Sequence, residues 1–265
     1  MNPTTHLLPT WTLNHTLARL NSSCITACVD AAHPERGIQE LSFDRCGIDG
    51  SILRLCRSKL GDNTRYDAGR PTYDWPLVLS DVYVRDNDLV ASYQPNDDWP
   101  YAPQVYWRAD PFADIDWVPA SLEVLVAIQT HLLDTRPAIS IATSVLSEDR
   151  IWIAVSGEGQ TEVTALGQTG PRLLGSTATC VIQRLPKLPL SYVEIVPTTD
   201  CCALAVVVKG RESLALEWRL FSDFLEKGVI RKARVFAAIL PTANDIELAI
   251  ECCAAIEQSP LPLTT

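Results

Sequence analysis

The stretch DVYVRDNDLVASY, from Asp81 to Tyr93, has the pattern of a β-hairpin and indicates the fold class of the whole chain. Two alternating segments, DVYVR and LVASY, flank Asp86, Asn87 and Asp88, whose short polar side chains tolerate left-handed backbone. Side chains of a strand point alternately to its two faces, so DVYVR has one polar and one apolar row. The sequence therefore predicts a local antiparallel pair here.

Short runs of this kind, bounded by Pro, Gly, Asn and Asp, recur along the chain, whereas helix patterns are sparse. A second hairpin is predicted between ALAVVV and SLALEW, around Gly210. The clearest helix pattern covers Asp245–Gln258, with Asn244 as its cap, and a short helix is predicted at Ser222–Lys227, ending at Gly228. The pattern predicts a mainly β protein, a large antiparallel β-sandwich with one C-terminal helix and one short connecting helix.

The Pro-rich stretch Tyr101–Ala120 interrupts the strand pattern and is a candidate boundary between two packed β halves. Residues 1–117 would form an N-terminal half that carries an acidic, aromatic segment. Residues 118–265 would form a C-terminal half that ends in the helix. With 265 residues the chain can bury one large core. We expect the two halves to share that core as one integrated unit.

Composition excludes several classes of function. The chain is 47% hydrophobic and 20% charged, which is typical of a folded protein. Its net charge of −10 repels polyanions, so neither nucleic acid nor an anionic membrane is an expected partner. The beginning of the sequence lacks the pattern of a secretory signal, and nowhere do about 18 apolar residues run together. We therefore predict a soluble cytoplasmic protein.

The nine cysteines form neither an even set nor a repeated CxxC pattern. Adjacent cysteines, such as Cys201 and Cys202, cannot easily both bind one tetrahedral ion. We interpret the nine cysteines as reduced thiols that pack as small apolar side chains. No metal and no cofactor is predicted.

The segment Asp81–Trp117 contains eight Asp, four Tyr and three Trp but only two Arg and neither Lys nor Glu, a local net charge of −6. Strand alternation puts Tyr83 and Arg85 on one face of their strand. It likewise puts Gln104, Tyr106 and Arg108 on one face of another. If the two strands adjoin, these five residues form a platform of phenol rings and guanidinium groups that suits a sugar or a carboxylate. The alternative is a solvated sheet face laced by Arg–Asp pairs.

Only two residues outside this segment are candidates for catalysis. His131, in QTHLLDTRP, could act as a general base held by Asp134. Glu226, in FLEKGVIRK, could act only if its side chain turns inward; otherwise it belongs to a salt-bridged connector. Common hydrolase, nucleotide-binding and metalloprotease motifs do not occur in the sequence.

Several blocks of sequence resemble a group of uncharacterised bacterial proteins. They are DVYVRDNDLVASYQPNDDWPYAPQVYWR, QTHLLDTRPAIS, EWRLFSDFLEKGVIRKARV and the terminal SPLPLTT. The length and strand content are also similar to those of the β-supersandwich of galactose mutarotases. That resemblance implies paired histidines and a glutamate base, for which only His131 and Glu226 are available here, and the second histidine is missing.

Three functions remain open at the level of sequence. The first is a ligand-binding β protein that recognises a carbohydrate or a similar polar small molecule through Tyr83, Arg85, Gln104, Tyr106 and Arg108. The second is a protein–protein interaction module that uses the same aromatic patch. The third is a sugar epimerase or mutarotase that uses His131 and Glu226.

Overall fold

The computed structural model describes residues 9–22, 24–57, 75–97, 99–112, 115, 117–135, 137, 139–155, 161–166, 172–173, 180–209, 213–221 and 224–258. Within these ranges the chain forms nineteen strands, one 3-10 turn at Pro34–Arg36 and one α-helix, α1 (Asp245–Gln258). The prediction of a mainly β protein is confirmed. No helix among these residues is long and apolar enough to cross a membrane.

The strands are numbered in chain order and form two sheets. The first sheet has ten strands, in the spatial order β1 (Thr10–Asn14), β2 (Leu17–Asn21), β3 (Ile25–Asp30), β4 (Ile38–Phe43), β6 (Gly50–Arg57), β11 (Ile139–Leu146), β18 (Ser213–Leu220), β17 (Ala203–Lys209) and β14 (Arg172–Leu173), with β5 (Cys46–Gly47) paired to β4. All of its pairs are antiparallel.

The second sheet has nine strands and is also antiparallel throughout. Its spatial order is β13 (Thr161–Ala165), β12 (Arg150–Val155), β15 (Cys180–Arg184), β16 (Leu190–Ile195), β19 (Arg231–Pro241), β10 (Ala120–Thr130), β9 (Tyr101–Ala109), β8 (Asp88–Gln94) and β7 (Val78–Arg85). The predicted antiparallel β-sandwich is confirmed.

The main core lies between the two sheets and is built from the apolar rows of both. Trp107 on β9 and Trp218 on β18 are fully buried in it, together with Val105 and Ile141. Every second residue of these strands faces the core, so the intervening residues of the same strands face outward. The outward rows of the two sheets are therefore the surfaces on which a site could form.

One buried carboxylate joins the two layers. Glu194, on β16 of the second sheet, accepts hydrogen bonds from the Tyr192 hydroxyl (2.7 Å) and from Nε1 of Trp218 (2.7 Å) on the first sheet. Burial raises the pKa of Glu194, whereas hydrogen bonds from Thr143, Tyr192 and Trp218 favour its charged form. The main core thus contains a polar link with a defined partner in each sheet.

Both predicted hairpins are present. β7 and β8 pair across a turn in which Asp86 has the left-handed φ of 52° that its short polar side chain tolerates. β17 pairs with β18, while residues 210–212 between them, including Gly210, lie outside the described residues. β9 and β10, on either side of the boundary predicted at 117/118, are neighbours in one sheet. The division into halves stays a prediction.

Helix α1 has the predicted bounds and packs on the outward side of the second sheet, over β15, β16 and β19. Ala249, Cys252, Cys253 and Ile256 are buried against outward residues of β15, β16 and β19. Asp245 anchors its first turn, because the carboxylate accepts two hydrogen bonds from Arg184 (2.9 and 3.0 Å) and one from Ser191 (2.7 Å). Apart from this anchor, the part of the sheet that α1 covers is apolar.

The prediction of a short helix at Ser222–Lys227 is wrong for residues 224–227, the part of this range that the structure describes. Leu225 instead exchanges backbone hydrogen bonds with Thr135, at 2.8 and 3.1 Å, in an isolated antiparallel bridge. These two backbone hydrogen bonds to a distant segment form in place of the hydrogen bonds of a single helical turn, which is unfavourable to form by itself. Gly228 does have the left-handed backbone expected of it, with φ of 83°. Residues 222 and 223 lie outside the described residues.

All nine cysteines are free thiols. Six of them are buried, Cys24 and Cys202 are intermediate, and Cys46 is exposed. Burial raises the pKa of Cys201 and Cys252 to about 12, so these thiols stay protonated at neutral pH.

Candidate functional site

The five predicted ligand-binding residues lie on the outward side of the second sheet. Cross-strand register aligns Tyr83, Val90 and Tyr106 in one row and Arg85, Asp88 and Arg108 in the next. The two polar strands therefore share a face as predicted. They do not adjoin, however, because β8 lies between β7 and β9.

This surface continues across β10 and has an apolar strip in its middle. Val90, Tyr106, Leu125 and Ala127 form a small buried cluster that is separate from the main core. Polar side chains lie on both sides of the strip. We call this surface the β7–β10 face and define it by Tyr83, Arg85, Asp88, Val90, Gln104, Tyr106, Arg108, Glu123, Leu125 and Ala127.

The polar groups on one side of the strip bind one another. The Tyr106 hydroxyl donates a hydrogen bond to Oε1 of Gln104, whose Nε2 donates to Oγ of Ser92 at 3.1 Å. Tyr106 is 7% exposed, and burial raises the pKa of its phenol. Tyr83, by contrast, is 37% exposed and presents its ring to solvent. Tyr83 is therefore the aromatic side chain on which a ligand could stack.

A row of charged side chains crosses the other side of the strip. Arg108 donates to both carboxylate oxygens of Asp88, at 2.8 and 3.0 Å, and its third nitrogen contacts Glu123 at 3.3 Å. The bidentate pair fixes the plane of the guanidinium. Arg85 lies 3.7 Å from Asp88, and 49% of its side chain is exposed. About half of the Arg85 side chain is therefore accessible to a ligand.

Glu123 occupies the centre of this row and is 2% exposed. Burial raises its pKa to about 7, although Arg108 and Arg234 favour the charged form. Arg234, on β19, is itself paired with Asp200 at 3.2 Å. Register places Arg234 opposite Leu125, one position away from Glu123 on the same face. We call the series Arg85, Asp88, Arg108, Glu123, Arg234 and Asp200, which alternates in sign, the charge row. With a pKa of about 7, its Glu123 carboxyl changes charge near neutral pH.

Sequence reasoning missed Glu123, Arg234 and Asp200. A signal for Glu123 was available, because it is the one charged residue in the eleven-residue strand ASLEVLVAIQT. A lone carboxyl in so apolar a strand requires a partner when it is buried. The identity of that partner depends on strand order, which the pattern of a single strand does not reveal.

The two catalytic candidates lie on exposed loops at one end of β10 and β19. His131 follows β10 directly, and Glu226 precedes β19. The bridge between Thr135 and Leu225 joins these two loops. Both side chains are exposed, so Glu226 does not turn inward. Their part in catalysis stays a prediction.

A second charged surface lies on the outward side of the first sheet. Register aligns Arg54, Ala142 and Glu217 in one row and Cys56, Ser140 and Arg219 in the next, across β6, β11 and β18. We call these six residues the β6–β18 face. Small residues on the central strand lie between Arg54 on one side and Glu217 and Arg219 on the other. Strand alternation alone puts Glu217 and Arg219 on one face of β18, but only the pairing of the strands brings Arg54 to them.

Ser140 distinguishes the β6–β18 face from an ordinary surface. Its side chain is fully buried, and its hydroxyl has no hydrogen-bond partner among the described residues. A buried hydroxyl without a partner costs about 1–3 kcal/mol. Glu217 lies 3.8 Å from Nε of Arg219, and both side chains are about a quarter exposed, at 23% and 27%. The face thus combines an unsatisfied polar atom with accessible charge.

The predicted aromatic interaction patch is not exposed as a unit, because Trp107 is fully buried and Tyr106 nearly so. Exposed apolar side chains are concentrated instead on the two bridged loops: Leu132, Leu133, Phe224, Val229 and Ile230. A protein-binding surface at Tyr106 and Trp107 would require the sheet to open.

Within the described ranges, no three His, Cys, Asp or Glu side chains come together as ligands for a metal ion. The acidic loop residues Asp98, Asp114 and Asp116 lie outside those ranges.

Comparisons with known proteins define the class of fold. No protein-family model matches the sequence, and no curated protein matches it significantly. Among solved structures, a putative aldose 1-epimerase from Escherichia coli K12 is similar with a TM-score of 0.57 and 10% identity, over 88% of this chain and 99% of that one. A galactose mutarotase-like protein from Lactobacillus casei is similar with a TM-score of 0.55 and 12% identity, over 84% of this chain and 99% of that one.

The chain therefore has a galactose mutarotase-like fold, as the resemblance in strand content and length implied. Identities this low show the fold alone. What the chain binds has to be argued from its own side chains.

Proposed function

We propose that this protein binds a carbohydrate or a similar polar small molecule on the β7–β10 face. The observation that carries the proposal is the arrangement of a buried apolar strip between two rows of polar side chains. Sugar rings present apolar C–H surfaces and hydroxyl groups together, and ligand sites commonly combine an apolar lining with a few fixed polar groups. The names of the structural neighbours, which refer to sugars, support the same class of ligand.

Each part of the face has a role in this proposal. The exposed ring of Tyr83 stacks on the sugar, and the open edge of Arg85 donates to ring hydroxyls. The contacts of Arg108 with Asp88 and Glu123 hold its guanidinium in place. Gln104, held by Tyr106 and Ser92, supplies a fixed amide at the opposite side of the strip.

The proposal is tested by measuring the melting temperature with a panel of mono- and disaccharides, followed by calorimetry of any that raise it. We expect the Tyr83→Ala and Arg85→Ala variants to lose at least tenfold in affinity. Arg19→Ala is the matched control, because Arg19 is also an exposed, ion-paired arginine but lies on the first sheet. If no saccharide raises the melting temperature, or if all three variants bind equally well, the proposal is wrong.

A sugar epimerase is the second candidate, and the β6–β18 face favours it. Interconversion of sugar anomers requires a proton to leave the C1 hydroxyl and another to reach the ring oxygen. Glu217 could take up the first proton, a solvent water could deliver the second to the ring oxygen, and Arg54 and Arg219 could stabilise negative charge that develops on oxygen. Among the candidate carboxyls, Glu217 is half-buried whereas Glu226 is exposed.

Anomer exchange of glucose and galactose, followed by polarimetry or NMR, tests the second candidate. We expect Glu217→Gln to abolish any acceleration, and His131→Asn and Glu226→Gln to show whether the exposed loops contribute. An exchange rate equal to that of buffer in the wild-type protein would end the epimerase hypothesis and leave the binding proposal intact.

A further inference from the structure

The β7–β10 face contains more positive charge at its open end than its acidic sequence segment suggests. Arg85 and Arg108 flank Asp88 and are the two cations closest to the exposed edge of the face. Asp81, the exposed carboxylate of the same face, lies two rows away, opposite Ser92. The Asp88 side chain between them is only 5% exposed, whereas the side chains of Arg85 and Arg108 are 49% and 22% exposed, so an anion at this edge meets mainly guanidinium groups.

The charges of the row balance only while Glu123 is ionised. Arg85, Arg108 and Arg234 then face Asp88, Glu123 and Asp200, so positive and negative charges are equal in number. When Glu123 takes up a proton, the row gains one net positive charge. Glu123 is buried between Arg108 and Arg234, and Asp88 and Asp200 are the other carboxylates that influence it. Glu123 is therefore the group through which the row can change its charge.

We propose that the ligand of this face is an acidic carbohydrate, one with a carboxylate group, and that Glu123 takes up a proton when this carboxylate docks on Arg85 and Arg108. This inference rests on the binding function proposed above. The arginine edge matches the two oxygens of a carboxylate. The added negative charge lies on the far side of Arg108 from Glu123, where it weakens the attraction that keeps Glu123 ionised. Glu123 is thus a positioning residue, because it acts through Arg108.

The pKa of Glu123 fixes the pH window of this effect. With a pKa of about 7 in the free protein, Glu123 is mostly ionised at pH 8 and mostly protonated at pH 6. Ligand binding should therefore take up nearly one proton at pH 8 and only a small fraction of one at pH 6. Affinity for the acidic sugar should fall as pH rises through this window, by up to tenfold per pH unit at its upper end.

The test compares sugars that differ only in one group. Calorimetry with glucuronate and glucose, and with galacturonate and galactose, is run from pH 6 to pH 8 in MOPS and in imidazole, whose different ionisation enthalpies reveal proton uptake. We expect the acidic member of a pair to bind at least tenfold more tightly at pH 6 and to take up protons at pH 8. Arg85→Gln should remove this preference.

Two carboxylate variants separate a specific role from a general one. Glu123→Gln should abolish proton uptake and flatten the pH dependence, whereas Glu40→Gln, which removes an exposed ion-paired carboxylate on the first sheet, should change neither. If Glu123→Gln does not fold, the inference is tested by proton uptake in the wild-type protein, measured from the dependence of its binding enthalpy on the buffer, and by the affinities of the Arg85→Gln variant.

The outcomes distinguish this inference from the proposed function. Tighter binding of the neutral sugars, binding of glucuronate without proton uptake, or uptake that persists in Glu123→Gln would overturn the inference and leave carbohydrate binding in place. Failure of every saccharide, neutral or acidic, to bind would overturn both.

Discussion

The outward side of the second sheet is divided into two regions of opposite chemistry. Under most of α1 the outward residues of β15 and β16 are apolar and buried, namely Cys180, Ile182, Val193 and Ile195. Polar outward residues, Arg184 and Ser191, occur only where they bind Asp245 at the first turn of the helix. Across β7 to β10 the same side of the same sheet has paired charges, amides and hydroxyls around its apolar strip. The two regions meet on β19, where Phe236 belongs to the covered region and Arg234 to the charge row.

The difference shows what each region requires of its side chains. Burial under a helix stabilises apolar groups in proportion to the area removed from water. A carboxylate in the same position would need a partner that the apolar helix residues cannot provide. Where polar residues are arranged so that each finds a partner on the neighbouring strand, an outward sheet face can instead hold buried charge and still leave an edge open to a ligand.

The largest effect should come from the covered region. Phe236→Ala removes a ring that is 4% exposed and packs against Phe112, with ring centroids 5.8 Å apart. We expect a loss of about 4 kcal/mol in the free energy of unfolding, since truncation of a buried ring leaves a cavity. Urea denaturation followed by circular dichroism measures it. A loss below about 1 kcal/mol would show that α1 does not bury this region firmly.

The charge row should produce the next largest effect, and one that depends on pH. The pKa of Glu123 is about 7 in the folded protein and near 4.5 when unfolded, so the folded state binds this proton more tightly. The free energy of unfolding should therefore fall by about 3 kcal/mol as pH rises from about 4.5 to above 7.

Denaturation curves at half-unit steps of pH, for the wild-type protein and for Glu123→Gln, measure this dependence. The variant cannot ionise at this position, so its stability should lack this decline. Parallel curves for the two proteins across the window would contradict the assignment of the proton to Glu123.

A smaller effect is expected where the helix is anchored. Asp245→Asn leaves the guanidinium of Arg184 without its buried carboxylate, and we expect a loss of about 2 kcal/mol because 30% of the Arg184 side chain is exposed. Asp149→Asn is the matched control, since Asp149 contacts the same arginine at 3.6 Å but is 69% exposed. Thermal denaturation should separate the two variants; equal losses would mean that Asp245 has no special role.

The smallest effect on stability should come from Tyr83→Ala. Its ring is partly exposed at the edge of the charged region, so we expect a change within about 0.5 kcal/mol. Binding of a saccharide should nevertheless weaken strongly, as proposed above. A large loss of stability would show that Tyr83 serves packing rather than recognition, and chemical denaturation alone is enough to find it.

Local patterns predicted the parts of the fold that depend on local sequence. The hairpin at Asp86, the helix at Asp245–Gln258 and the shared polar side of Tyr83 and Tyr106 follow from turn residues and from periodicities of two and 3.6. The features that were predicted wrongly or missed depend on partners that are distant in sequence. Leu225 pairs with Thr135, β8 separates the two polar strands, and Glu123 finds Arg108 and Arg234 on its two flanking strands.

The candidate site shows the same limit. The sequence placed the five residues on β7 and β9 on one side of a sheet. It could not predict which of Ser92, Gln104 and Tyr106 would bind one another through hydrogen bonds. The β6–β18 face was not found, because its residues come from three strands separated by long stretches of sequence, and no single strand shows the pattern.

Glu194 has a consequence for how the two layers can slide. The hydrophobic effect has no preferred direction, so burial of apolar area alone does not select one placement of one sheet over the other. The indole of Trp218 must stay within reach of this carboxyl group, however, and a displacement by one residue would leave a buried polar group without its hydrogen-bond partner. The hydrogen bond between Glu194 and Trp218 therefore favours one relative placement of the two sheets, and with it one relative position of the two outward surfaces.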